Sequence, residues 1–212
     1  MSSTRIYFDN AATTSLDPEV LAAMMPFLTE KFGNPSSIYS YGRETRMAIE
    51  QARKSVAKIL GAHPAEIFFT SGGTESSNTA IYAAVRDLGC KHIITSAIEH
   101  HATSHAVQYI DHQDWAKVSF VKLLPDGHID LEDLEKLLAS TEDKTLVTLM
   151  HANNEIGNLL DIHAVGNLCK LYNAIFHCDT VQTVGHFPID LRNTPVHFIT
   201  GAAHKFHGPK GV

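Results

Sequence analysis

"TLVTLMHANNEIGN", residues 145–158, is an apolar run that breaks into a polar loop. Thr145–Met150 reads as a strand and His151–Asn158 as the loop at its carboxyl end. The flanks continue the pattern. Upstream, "GHID" turns into "LEDLEKLL", with Asp130 as N-cap and leucines at 131, 134, 137 and 138. Downstream, a helix over about residues 162–172 leads to a second apolar run, "AIFHC" at 174–178.

The same alternation extends to both ends. "EIFFT" (66–70), "HIITS" (92–96), "VSFVKL" (118–123) and "VHFIT" (196–200) are further predicted strands. "SGGTES" opens a helix that ends near Leu88 and Gly89, and "EHHATSHAVQYI" is helical after its first residues. Near the start, Asp17 and Pro18 begin a helix with Val20, Met24 and Phe27 on one face, and Pro26 is expected to kink or end it. A longer helix over about Tyr41–Leu60 carries Ile49, Ala52, Val56 and Ile59 as its apolar stripe, with Gly61 after its end.

Strand, loop and helix in repeated order specify an α/β fold with a mainly parallel sheet flanked by helices. Right-handed crossovers gather the loops after the strands along one edge, where open α/β sheets bind ligands. That edge would collect Ser71–Thr74, Glu99–His100, Asn153–Asn154, Asp179–Gln182 and His204–Lys205.

Composition narrows the class of partner. The chain has 212 residues, enough for one sizeable domain or a domain plus part of another. A formal net charge of −6 argues against nucleic acid or an anionic membrane as the main partner. No apolar run has the length of a membrane span, and "MSSTRIYFDN" lacks the apolar core of a signal peptide. Cys90, Cys169 and Cys178 are odd in number and widely spaced, as for reduced thiols in a cytoplasmic protein.

Each rim residue has a plain and a chemical reading. "TSGGTES" is either an ordinary turn into a helix or an anion cradle of backbone N–H groups at a helix start. Asp179 is either the N-cap of the segment 180–184 or a carboxylate awaiting a cationic partner, with Gln182 three residues on. Lys205 is either a surface lysine or an amine nucleophile of lowered pKa. His101 and His105 have the spacing of a helical metal pair, but "HATSH" lacks the zinc-protease glutamate and no metal is expected. Taken together, an anion cradle, a carboxylate, amides, a stacking histidine and an amine are the parts that pyridoxal 5'-phosphate requires.

"YFDNAATT", "EKFGNPSSIYSYGRE", "FTSGGTESSNTAI", "HIITSAIEHHA", "MHANNEIG", "HCDTVQTVG" and "AHKFHGPKGV" occur in this order. In combination they resemble the NifS/IscS-type cysteine desulfurases, in the class V aminotransferase branch of fold-type I pyridoxal phosphate enzymes. The resemblance covers essentially the whole chain. It implies that Lys205 takes the cofactor's aldehyde and later moves protons at the substrate α-carbon. It implies that Asp179 pairs with the pyridinium nitrogen and that His100 stacks on the ring and assists proton transfer. Gln182 and Asn154 would bond the ring's phenolic oxygen or orient the substrate, and Gly73, Thr74 and His204 would hold the phosphate. The implied reaction takes L-cysteine to L-alanine and passes sulfur to an enzyme cysteine, for iron–sulfur cluster assembly or thio-modification. The implied assembly is a homodimer, with "FGNPSS" near the subunit boundary, serving a sulfur-acceptor or iron–sulfur scaffold protein.

Two departures stand out. Ala202 occupies the phosphate-side position where the family usually has serine, so that one bond would fall to Thr200 or a water. The family's sulfur-accepting cysteine and substrate-carboxylate arginine lie well beyond the lysine, and none of the three cysteines here matches that loop. The resemblance therefore implies a large domain (residues 16–212) lacking its last strand and the small domain, with residues 1–15 as a segment that would join the small domain. Such a fragment is expected to be inactive alone. Two other readings stand beside it: a related class V lyase or aminotransferase, and a catalytically incomplete fragment with a binding role only.

Overall fold

The computed structural model describes residues 5–212; the expected N-terminal segment 1–15 thus falls partly outside the described residues. The chain forms two compact units, Thr70–Gly201 and the pair of segments Met1–Phe69 and Ala202–Val212.

Thr70–Gly201 contains one five-stranded sheet. Its elements are α3 (Gly73–Arg86), β1 (His92–Thr95), α4 (His101–His112), β2 (Lys117–Phe120), α5 (Leu131–Ala139), β3 (Thr145–Met150), α6 (Ile162–Leu171), β4 (Ile175–Asp179) and β5 (Phe198–Thr200). The labels α1 and α2 belong to Pro18–Thr29 and Ser40–Leu60 of the other unit. The strand order is β2-β1-β3-β4-β5 and every pairing is parallel. The order reverses between β1 and β3, the kind of switch point at which open α/β sheets bind their ligands.

Burial explains the layers. β1, β3 and β4 are buried at every residue, as central strands covered on both faces must be. On one face Ile81 and Ala84 of α3 and Val107 and Ile110 of α4 pack on Ile93, Leu146 and Ile175. On the other, Leu134 and Leu138 of α5 and Val165 and Cys169 of α6 pack on Val147, Leu149 and Phe176. Alternation along β4 puts His177 and Asp179 on the same side as Ile175, the α3 side. Asp130 caps α5 through bonds from Glu132 and Asp133 N–H, as its position before the leucines predicts.

Four sequence expectations change. "EIFFT" forms no strand: Pro64–Glu66 is a short 3₁₀ turn, and Phe68 and Phe69 are exposed. Strand propensity without a pairing partner gives no ladder. Pro26 does not end α1, which runs on to Thr29; a proline removes one N–H, and Glu30 and Lys31 N–H both reach the Pro26 carbonyl. No residue of α1 is buried. In α2 the buried line is Gly42, Thr45 and Ala57, while Ile59 lies exposed. Small residues decide that line: a Cβ on Gly42 would stand 2.4 Å from the Ser37 carbonyl oxygen.

Candidate functional site

In Thr70–Gly201 the residues singled out by sequence fall at the start of α3 and after β1, β3 and β4. The α3 start is built for close approach. Gly72 has φ +141° and ψ 179°, a backbone region that side chains exclude, and no side chain caps the helix it precedes. Ser71 N–H is taken by Glu75, but Gly73 and Thr74 open the helix with backbone donors and the positive end of its dipole.

Asp179, 6% exposed, ends β4. Its Oδ1 accepts from Val181 N–H at 3.0 Å and from Thr200 Oγ1 at 3.5 Å. Thr200 Oγ1 lies 3.2 Å from Ser77 Oγ, one turn into α3. A buried hydroxyl chain thus links the carboxylate to the helix that carries Gly73 and Thr74. Sequence reasoning missed Ser77 and named Thr200 only as a substitute on the phosphate side, not as the partner of Asp179. The signal was there: Ser77 stands four residues after Gly73, hence on its face, and Thr200 closes a predicted strand.

The loop after β3 separates its two asparagines. Asn153 is structural: its Nδ2 donates to the Ile98 carbonyl at 2.8 Å, and its Oδ1 accepts from Glu155 and Ile156 N–H. Asn154 is half-buried and donates to Glu155 Oε1. His151, buried beside them, shares a 2.9 Å hydrogen bond with Thr183 Oγ1, and burial pushes its pKa down. Gln182 sits half-buried in the turn after Asp179.

His100 is the N-cap of α4, and its Nδ1 accepts from Ala102 N–H at 3.1 Å. That bond fixes Nδ1 as the acceptor and leaves Nε2 to carry the proton. The ring itself is exposed. His101 and His105 stack with centroids 5.3 Å apart, and among the described residues no three His, Cys, Asp or Glu side chains are grouped to hold a metal.

Glu99 precedes His100 and is 9% exposed. Its Oε1 accepts from Ser96 Oγ at 2.6 Å, while its Oε2 is buried without a hydrogen-bond partner. Burial, with Asp179 adding a smaller push, raises its pKa to about 8.

Ala202, His204 and Lys205 belong to the other unit. Ala203–Lys205 forms a 3₁₀ turn preceded by Ala202, 3% exposed. Lys205 Nζ donates to the Ala11 and Ala12 carbonyls. The His204 imidazole meets Thr13 Oγ1 at 3.0 Å, and its carbonyl accepts from Thr14 N–H at 2.8 Å and Thr14 Oγ1 at 2.9 Å. Burial, with Lys205 and Lys210 nearby, lowers the His204 pKa. Cys90, Cys169 and Cys178 are all fully buried; burial raises Cys169 to about 12 and Cys178 well above its ordinary value.

Comparison with known proteins supplies the context for this arrangement. A cysteine desulfurase IscS of Dictyoglomus turgidum is 48% identical over 209 residues, covering 98% of this chain and 52% of that protein. A mitosomal cysteine desulfurase of Trachipleistophora hominis is 43% identical over 213 residues, covering 98% of this chain and 48% of that protein. The solved structure of a NifS-like protein superposes with a TM-score of 0.91 at 42% identity, covering 98% of this chain and 57% of that one. A structure described as SspA in complex with cysteine superposes with a TM-score of 0.92 at 32% identity, over 98% and 59% of the two chains. The chain spans about half the length of the relatives it matches. The aminotransferase class-V family itself matches residues 6–212, in agreement with the parallel sheet and the placement of the loops, and the chain belongs to that family.

Proposed function

We propose that this chain is the cofactor-binding portion of a pyridoxal phosphate-dependent cysteine desulfurase. The observation that carries the reading is the link from the uncapped α3 start through Ser77 and Thr200 to the buried Asp179. An N-terminal cradle suits a phosphate, and a buried carboxylate held by N–H and O–H donors suits a protonated ring nitrogen. These residues fit the group. When bound, it supplies an electron sink for the substrate α-carbon.

The chain's own residues then take definite roles. Gly73 and Thr74 hold the phosphate, aided by His204. Asp179 keeps the ring nitrogen protonated. His100, its Nδ1 engaged by the Ala102 N–H, presents a fixed ring for stacking and a proton at Nε2. Gln182 and Asn154 orient the phenolic oxygen or the substrate. Lys205 is the amine for the cofactor's aldehyde and the carrier of the α-proton. The substrate is L-cysteine, the product L-alanine, and the sulfur passes to a thiol for iron–sulfur or thio-modification use, in a homodimer. The named activities of the relatives favour cysteine over other amino acids.

Titration with pyridoxal phosphate tests the reading. An absorbance band above that of the free cofactor, and borohydride-fixed mass on the peptide carrying Lys205, are expected. No band and no fixed mass would overturn it. Release of sulfide or alanine from cysteine is expected to be negligible, since the three thiols are buried.

A further inference from the structure

Asp179, at the end of β4, and Glu99, after β1, are both buried carboxyl groups at the carboxyl end of the sheet. Both are tied to the end of β3, between their own strands. The His151 N–H bonds the Asp179 carbonyl, and Asn153 Nδ2 donates to the Ile98 carbonyl, next to Glu99. Met150 and Asp179 are register partners.

Their surroundings differ. Asp179 Oδ1 collects donors from Val181 and Thr200. Glu99 has Ser96 on Oε1, but Oε2 is left buried without a partner. Among the described residues no lysine or arginine forms an ion pair with it. An ionised oxygen in that position would carry the full cost of desolvation, whereas a protonated one carries no charge. The titratable side chains on neighbouring elements are His100 on α4, Cys178 and Asp179 on β4, and His151 after β3. Cys178 stays a thiol chiefly through burial, and burial keeps His151 neutral.

We infer that Glu99 is a positioning residue, a neutral carboxylic acid that leaves Asp179 as the ionised member of this buried pair. Two carboxyls whose environments part their protonation states divide the roles of acid and anion. The inference deepens the proposed function, because it rests on Asp179 as partner of the ring nitrogen. A second negative charge there would alter the field at that nitrogen, and the Glu99 proton withholds it.

The experiment uses the cofactor-free chain labelled with ¹³C at glutamate carboxyls. Glu99→Gln identifies the resonance. A midpoint near 8 is expected; an ordinary glutamate midpoint would overturn the inference. A second measurement uses stability. The folded chain retains the Glu99 proton at pH values where the unfolded chain has lost it, so the Glu99 contribution to stability falls as pH rises from 6.5 to 8, against the opposite slope of the buried histidines. The difference in urea stability between wild type and Glu99→Gln, neutral and of the same shape, isolates it. That difference is expected to change steadily across the window, which loss of a merely structural contact would not produce; a pH-independent difference would overturn the inference. After cofactor uptake, wild-type absorbance is expected to shift with a midpoint near 8 and Glu99→Gln absorbance to be steady across it; equal profiles would count against the inference. The failures are separable. A high Glu99 midpoint in a chain that takes up no cofactor overturns the proposed function alone. An ordinary midpoint in a chain that binds cofactor overturns this inference alone.

Discussion

Ser77 and Thr200 meet at 3.2 Å between their hydroxyl oxygens, and both are essentially unexposed. Thr200 also reaches Asp179. The helix start that would hold an anion and the carboxylate that would hold a cation therefore share one buried support. Moving either end disturbs the other.

Thr200→Val keeps the shape of the side chain and removes its hydroxyl. Ser77 Oγ, fully buried, loses its partner, so a loss of roughly 1–3 kcal/mol is expected. Ser77→Ala combined with Thr200→Val should recover part of it, because no orphan hydroxyl remains. Urea melts of the two single variants and the double variant check this, and strict additivity would contradict it.

Ala202→Ser should tighten pyridoxal phosphate binding by roughly tenfold or more, the worth of about one hydrogen bond to an anion. Ala202 is buried in extended backbone immediately before the turn that carries His204 and Lys205. Fluorescence titration gives the ratio; unchanged or weaker binding would remove Ala202 from the phosphate side.

The three thiols should resist modification. Cys90, Cys169 and Cys178 are inaccessible, and burial pushes all three thiol pKa values up. An aromatic disulfide reagent at pH 8 is expected to titrate no thiol in the native chain and three in guanidinium. A rapid native equivalent would identify a thiol able to receive sulfur.

His177 should make the chain acid-sensitive. It is wholly buried, shares a 2.8 Å hydrogen bond with Thr148 Oγ1, and burial lowers its pKa to about 4. The unfolded chain takes up the proton near pH 6.5 and the folded chain only near 4, so stability falls as pH drops through that interval. Glu99 acts in the opposite sense from 4.5 to 6.5, so the difference between wild type and His177→Gln is the informative quantity. A smaller acid slope in the variant is expected from melts at pH 6.5, 5.5 and 4.5.

The sequence disclosed the elements whose signals are local. Asp17 and Asp130 cap their helices, and Thr145–Met150 is the strand its composition demands. Phe68 and Phe69 show where local signals stop: a β-rich run becomes a strand only if a neighbour pairs with it. The candidate site divides the same way. Gly73, His100 and Asp179 follow from motif and position. Glu99 needed the structure, because an acid beside a histidine reads as polar loop until its Oε2 is seen to be buried. Asn153 and Asn154 are indistinguishable as letters and separate only by their bonds.

The unit formed by the two ends of the chain has a consequence for synthesis. Thr14 bonds His204, and Asp17 bonds His207, contacts that span some 190 residues. A ribosome releases Thr70–Gly201 as one continuous stretch, able to close its sheet while translation proceeds. The carbonyls of Ala11 and Ala12, by contrast, must wait for Lys205 to emerge. The segment around Ala11 is made well before its partner at Lys205, which gives it a long interval of exposure to chaperones and proteases.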